Sequence, residues 1–113
     1  MTRVTFFFKG GLIVGFEAVG HSGAAARGED VVCAAVSTLL QALELGMIQV
    51  VGVKNPDFQV DPRKPLRRMV WGQLEGEGWR VLVETVRLSL KSLASSYPKY
   101  IVVSEVERND LSF

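Results

Sequence analysis

Two adjacent glycines, Gly10 and Gly11, separate a run rich in β-branched and aromatic residues at 3–9 from a second at 12–19. A two-residue Gly-Gly loop accepts the positive φ angles of a primed turn, so the pattern predicts an antiparallel hairpin at the head of the chain. Side chains alternate along a strand, which puts Val4, Phe6 and Phe8 on one face. On the second strand the same alternation groups Leu12, Val14, Phe16 and Ala18, with Ile13, Glu17, Val19 and His21 opposite. His21 then lies just past a strand end.

Beyond Asp30 the period changes from two to three and four. Val32, Val36, Leu39, Leu40 and Leu43 make the apolar stripe of a buried helix face, with Gly46 placed to stop it. MIQVVGV reads as a strand, KNPD as a turn, FQV as a short strand, DPRKPLRR as a Pro-bearing loop and MVWGQLE as another strand. Helical period returns at Arg80 with Val83, Val86, Leu90 and Leu93, and Pro98 ends that element. YIVVSEVE makes a last strand, and RNDLSF is expected to fray. The order is strand, strand, helix, strands, helix, strand. The expected fold is α/β of the α+β type: a small single domain over 1–113, with an N-terminal β-hairpin and a mixed β-sheet covered on one face by two long helices.

At 113 residues, 48% of them apolar, the chain can bury one core and not two. A net charge of +1 sets up no field that would draw in nucleic acid or an anionic membrane, so no direct nucleic-acid binding is expected. One cysteine closes no intramolecular disulfide, and Lys9 with Gly10 and Gly11 interrupts the early apolar run before signal-peptide length. No segment is expected to reach the roughly 20 apolar residues of a membrane span, and the expected location is cytoplasmic.

The stretch GHSGAAARGEDVVCAAVS holds the only histidine and the only cysteine, His21 and Cys33, with eleven residues between them. A thiol is a useful nucleophile only as thiolate. With Asp30 as N-cap, Cys33 falls in the first helical turn, where unpaired N–H groups and the helix dipole favour negative charge. The N–H groups around Cys33 and Ala34 would then be free to hold an oxyanion. The connector, rich in Gly and Ala, is long enough to bend His21 back to take the thiol proton and loose enough to serve as a substrate flap. The plainer reading is equally open: lone cysteines are mostly inert packing, and Ala34 and Ala35 suit a helix seated tightly on a sheet. One His, one Cys and scattered carboxylates are a poor metal set, so neither metal nor cofactor is expected.

The same stretch resembles the signature of the ribosomal-processing cysteine proteases, the Prp family, in which a Gly-His, a short Gly-containing loop and an Asp-Val-Val-Cys-Ala-Ala-Val-Ser-like run recur in this order. The hairpin before it, the strands after it, the second long helix, the Tyr-Pro near its end and the closing strand follow the family layout. The resemblance implies an endopeptidase that removes the N-terminal extension of a large-subunit ribosomal protein, the twenty-seventh of the bacterial series. It implies Cys33 as nucleophile, His21 as general base and Asp30 as dyad support or helix cap, with Gly20, Ser22, Ala34 and Ser37 near the substrate. It also implies a homodimer whose partner is the ribosomal-protein precursor.

Two features depart from the pattern. Ser22 stands where alanine is more usual. The basic segment 61–68, with Arg63, Lys64, Arg67 and Arg68, is less familiar; a solvated loop is expected there, and contact with rRNA or an acidic part of a precursor is the functional alternative. Two other functions fit the chain: a non-catalytic ribosome-assembly factor that binds through the same loop, and a thiol hydrolase of small substrates.

Overall fold

The computed structural model describes residues 1–20, 27–61, 63 and 66–108. Five strands, β1 (Thr2–Lys9), β2 (Leu12–Val19), β3 (Asp57–Asp61), β4 (Leu66–Val70) and β5 (Ile101–Glu107), form one sheet in the order β3-β4-β2-β1-β5. The β1–β5 pair is parallel and the others antiparallel, so the sheet is mixed, as expected. Gly10 and Gly11 make the β1–β2 turn with φ of 58° and 79°, the left-handed geometry that the pair of glycines predicts.

Two helices, α1 (Arg27–Leu45) and α2 (Gly78–Ser96), pack on one sheet face. Val32, Val36, Leu40 and Leu43 of α1 and Trp79, Val83, Val86 and Leu90 of α2 meet Val4, Phe6, Phe16, Met69 and Ile101 in a single core. Phe6, Phe16, Trp71 and Trp79 are all buried there. The α2 and β5 expectations hold to within two residues at either end.

Strict alternation fails in β2. The register runs Phe7↔Gly15 and then Phe8↔Ile13, which leaves Val14 as the extra residue of a β-bulge. Ile13 therefore joins Phe16 and Ala18 in the helix-side core, while Val14 packs with Phe7 and Val70 on the other face. The bulged carbonyl of Val14 accepts from the N–H groups of Trp71 and Gly72, at 2.8 and 3.1 Å, and the Trp71 indole N–H donates to Ile13 O at 3.0 Å. This docking ends β4 at Val70, so the strand expected over MVWGQLE is displaced towards Leu66.

Gly46 is not a stop. The helix continues through it as a π-helical turn, Gly46–Val51, where a strand was expected, and ends at Gly52 with φ of 87°. A Cβ on Gly46 would collide with Leu82 of α2, so this glycine serves the close approach of two helices. The 22 residues Asp30–Val51 thereby become long and apolar enough, by length and composition, to cross a membrane, contrary to the expectation. In the fold their stripe, from Val32 to Met47, is buried against the sheet and α2.

Arg67 and Arg68 are not loop residues either. Both lie on β4 and are half-buried. Arg67 grips Glu44 of α1 with two hydrogen bonds, at 2.5 and 3.2 Å. On the opposite sheet face the guanidiniums of Arg68 and Arg108 lie over the Phe7 ring, 5.8 and 5.0 Å from its centroid. The tip at Pro62, Lys64 and Pro65 lies outside the described residues, as do 109–113 of the end expected to fray; Arg108, the first residue of that end, is instead held by its N–H on Phe8 O at 2.7 Å.

Candidate active site

The candidate site gathers at the start of β1. Thr2 pairs with Ile101 in the parallel β1–β5 ladder, and its N–H donates to Tyr100 O at 2.8 Å. The residue is 6% exposed, and its side chain meets α1 at Cys33. Cys33 comes down onto it from α1, half-buried, with Sγ 3.3 Å from Thr2 Oγ1.

Gly20, at the end of β2, closes on the same residue from the other side. Its φ is 118°, a conformation that L side chains rarely adopt, and a Cβ there would lie 2.9 Å from Thr2 Cα and collide with Met1 O. The chain therefore passes into the His21 segment against Thr2, and Cys33 touches Thr2 after it. Gly20 and Cys33 share one neighbour, Thr2. His21 and Ser22 themselves lie outside the described residues.

The cap assignment is corrected. Helix α1 begins at Arg27, so Asp30 is its fourth residue and Cys33 its seventh. The unpaired N–H groups of such a helix end before Asp30, and the N–H groups of Cys33 and Ala34 are spent on carbonyls four residues back. They are not the free oxyanion donors that the cap at Asp30 implied, and the helix dipole is weak by the second turn. Asp30 is exposed and sits three residues before Cys33, the spacing of neighbouring side chains on a helix. Ser37 lies one turn after Cys33 and is exposed.

Ala34 looks elsewhere. With Ala35, Thr38 and Leu39 it walls a groove of about 560 Å³ against Ser89, Ser92, Leu93 and Ser96 of α2. Cys33 does not line that groove, because one residue along a helix turns the side chain by about 100°. Among the described residues no three His, Cys, Asp or Glu side chains come together as a metal site.

The comparisons with known proteins decide the family. The family described as Cysteine protease Prp matches residues 1–102. The chain belongs to the Prp cysteine protease family. It is accordingly a cysteine peptide hydrolase. Solved structures agree on the fold of this Prp chain. SMU.848 from Streptococcus mutans is 26% identical with a TM-score of 0.82, the match covering 96% of each chain. An essential ribosomal processing protease Prp from S. aureus, in complex with a substrate peptide, is 19% identical with a TM-score of 0.81, covering 93% of this chain and 99% of that one. The same S. aureus protease with a covalently linked product peptide is 20% identical, with a TM-score of 0.77 and the same coverage. No curated protein matches by sequence.

Thr2 is the site residue that sequence reasoning missed. It stands 31 positions from Cys33, and only the strand order, with β1 between β2 and β5, brings it under the thiol. A threonine at position 2 carries no motif that would have signalled this.

Proposed function

We propose that this Prp chain cleaves the N-terminal extension from the twenty-seventh protein of the bacterial large ribosomal subunit, using Cys33 as nucleophile and His21 as general base. One observation carries the reading: a chain that belongs to a cysteine protease family has one cysteine, and that cysteine is half-buried against Thr2, on which Gly20, the residue before His21, also packs. The S. aureus structures support the substrate class, since one holds a substrate peptide and another a covalently linked product.

In this reading His21 takes the Cys33 proton and the thiolate attacks the scissile carbonyl. His21 then protonates the leaving amine, and water hydrolyses the thioester to release the extension. Asp30 supports the dyad from one turn before Cys33. Gly20, Ser22 and Ser37 border the substrate, Gly20 by setting the path of the chain into His21, whereas Ala34, expected beside them, faces the groove between α1 and α2. The chemistry calls for no metal or cofactor. The reaction takes place in the cytoplasm, and the enzyme works as a homodimer; the edge strand β3, with Phe58 and Val60 exposed, supplies apolar surface for a second copy.

Cleavage of the precursor protein by the purified chain tests the reading. Wild type should release the extension, and Cys33→Ala should lower kcat by roughly 10³-fold or more. His21→Ala should lower it by about 10²- to 10⁴-fold. Full activity in Cys33→Ala would overturn the mechanism, and a precursor left intact by wild type would overturn the substrate.

A further inference from the structure

We infer that Thr2 is a positioning residue for the Cys33 thiolate: its hydroxyl donates a hydrogen bond to Sγ and favours the ionised, nucleophilic form. The inference rests on the reading of Cys33 as nucleophile and adds a residue to it. The Sγ–Oγ1 separation is 3.3 Å, and in the neutral state either atom can be the donor. Once the thiol loses its proton only the hydroxyl has a hydrogen to give. The contact then becomes charge-assisted and stronger, so it stabilises the thiolate more than the thiol.

The placement of Thr2 is what makes the hydroxyl effective. A β-branched residue has few χ1 choices, and this one is buried, laddered to Ile101 and tied by its N–H to Tyr100 O. Gly20 packs against its Cα. A group held this firmly is oriented before the reaction begins, with no reorganisation needed as charge develops on sulfur. It also takes over part of the thiolate stabilisation that the helix start, six residues before Cys33, does not supply.

Other ionisable groups stand on the elements that meet here. Among the described side chains, those nearest in sequence to the contact are Asp30 on α1, the Met1 amino group and Arg3 on either side of Thr2, and Tyr97, Lys99 and Tyr100 between α2 and β5. All of them are unchanged when Thr2 is substituted, so comparing variants at that one position isolates the hydroxyl. Cys33 is the only thiol, so alkylation reads it alone.

The experiment measures the rate of iodoacetamide alkylation in wild type, Thr2→Val, Thr2→Ala and Thr2→Ser, at pH 7 and at pH 10. Thr2→Val and Thr2→Ala should react roughly threefold to tenfold more slowly at pH 7, the scale separating a charged from a neutral hydrogen bond. At pH 10, where free thiols are ionised, both should at least match wild type. Thr2→Ser should restore the pH 7 rate. Thr2→Ala keeps the test open should the extra methyl of valine prevent folding. Equal pH 7 rates in all four proteins would overturn the inference, as would a loss in Thr2→Val that persists at pH 10 or is shared by Thr2→Ser. None of these outcomes depends on peptide cleavage. Activity surviving in Cys33→Ala would instead overturn the underlying reading while leaving the alkylation result intact.

Discussion

Gly20 shows how much of the candidate site a single backbone position carries. Its positive φ and its contact with the Thr2 and Met1 backbone leave no space for a methyl group. Gly20→Ala should therefore cost about 1–3 kcal/mol of stability, the scale of one strained backbone position, and should lower kcat/KM by misdirecting the chain into His21. Thermal unfolding and precursor kinetics check the two effects, and wild-type kinetics in the variant would show that this path into His21 is not needed. Arg67 makes a second residue-scale case. Its partner Glu44 is only 7% exposed, so Arg67→Ala would strand a carboxylate and destabilise by about 2–4 kcal/mol, measured by urea denaturation. Cys33 and His21 stand out in the sequence because each is unique in the chain. It conceals Thr2 and the Glu44–Arg67 pair because both depend on which distant strands become neighbours.

Elements were legible where a local pattern decides them. Gly10 and Gly11 needed nothing beyond their own geometry, and the stripes of α1 and α2 are read directly from period. Elements were illegible where a remote contact decides. The bulge at Val14 exists to receive the N–H groups of Trp71 and Gly72, and Gly46 is small for Leu82 rather than for a cap. At the bulge a Cβ on Gly15 would stand 2.6 Å from Met69 O and 2.9 Å from Val70 Cα. Gly15→Ala should push β4 away and cost about 1–3 kcal/mol, which differential scanning calorimetry would measure. The join of α2 to β5 adds charge to its apolar contacts: Arg87, held by Glu84 on its own helix, bonds Glu105, and Lys91 lies 2.7 Å from Glu105. The hydrogen bond from Lys91, with the charge of Arg87 beside it, holds the Glu105 carboxyl below its usual range. A depressed carboxylate stabilises the fold at neutral pH and loses that contribution as pH falls from about 5 through its folded value. Glu105→Gln should lower the Tm at pH 7 and flatten its decline between about pH 5 and pH 3; an unchanged pH profile would show that the cluster contributes nothing.

At the scale of the whole molecule, the fold brings two distant chain segments onto one buried threonine. Strand β1 lies between β2, which ends at Val19 just before Gly20, and β5, which begins beside Tyr100, while α1 crosses above with Cys33. Gly20, the residue before His21, and Cys33 thus both stand against the start of β1. Overall architecture and family were readable from the sequence, because the hairpin, the two helical stripes and the Cys33 signature are local. The oxyanion donors were not, because they followed from a helix start placed at Asp30 when α1 begins at Arg27. The most direct test is acid-quenched turnover of a precursor peptide followed by mass spectrometry of the enzyme. The account predicts an adduct on Cys33 with the mass of the N-terminal fragment joined as a thioester, and no cleavage after Cys33 has been alkylated. Cleavage that proceeds undiminished with Cys33 fully alkylated would contradict it.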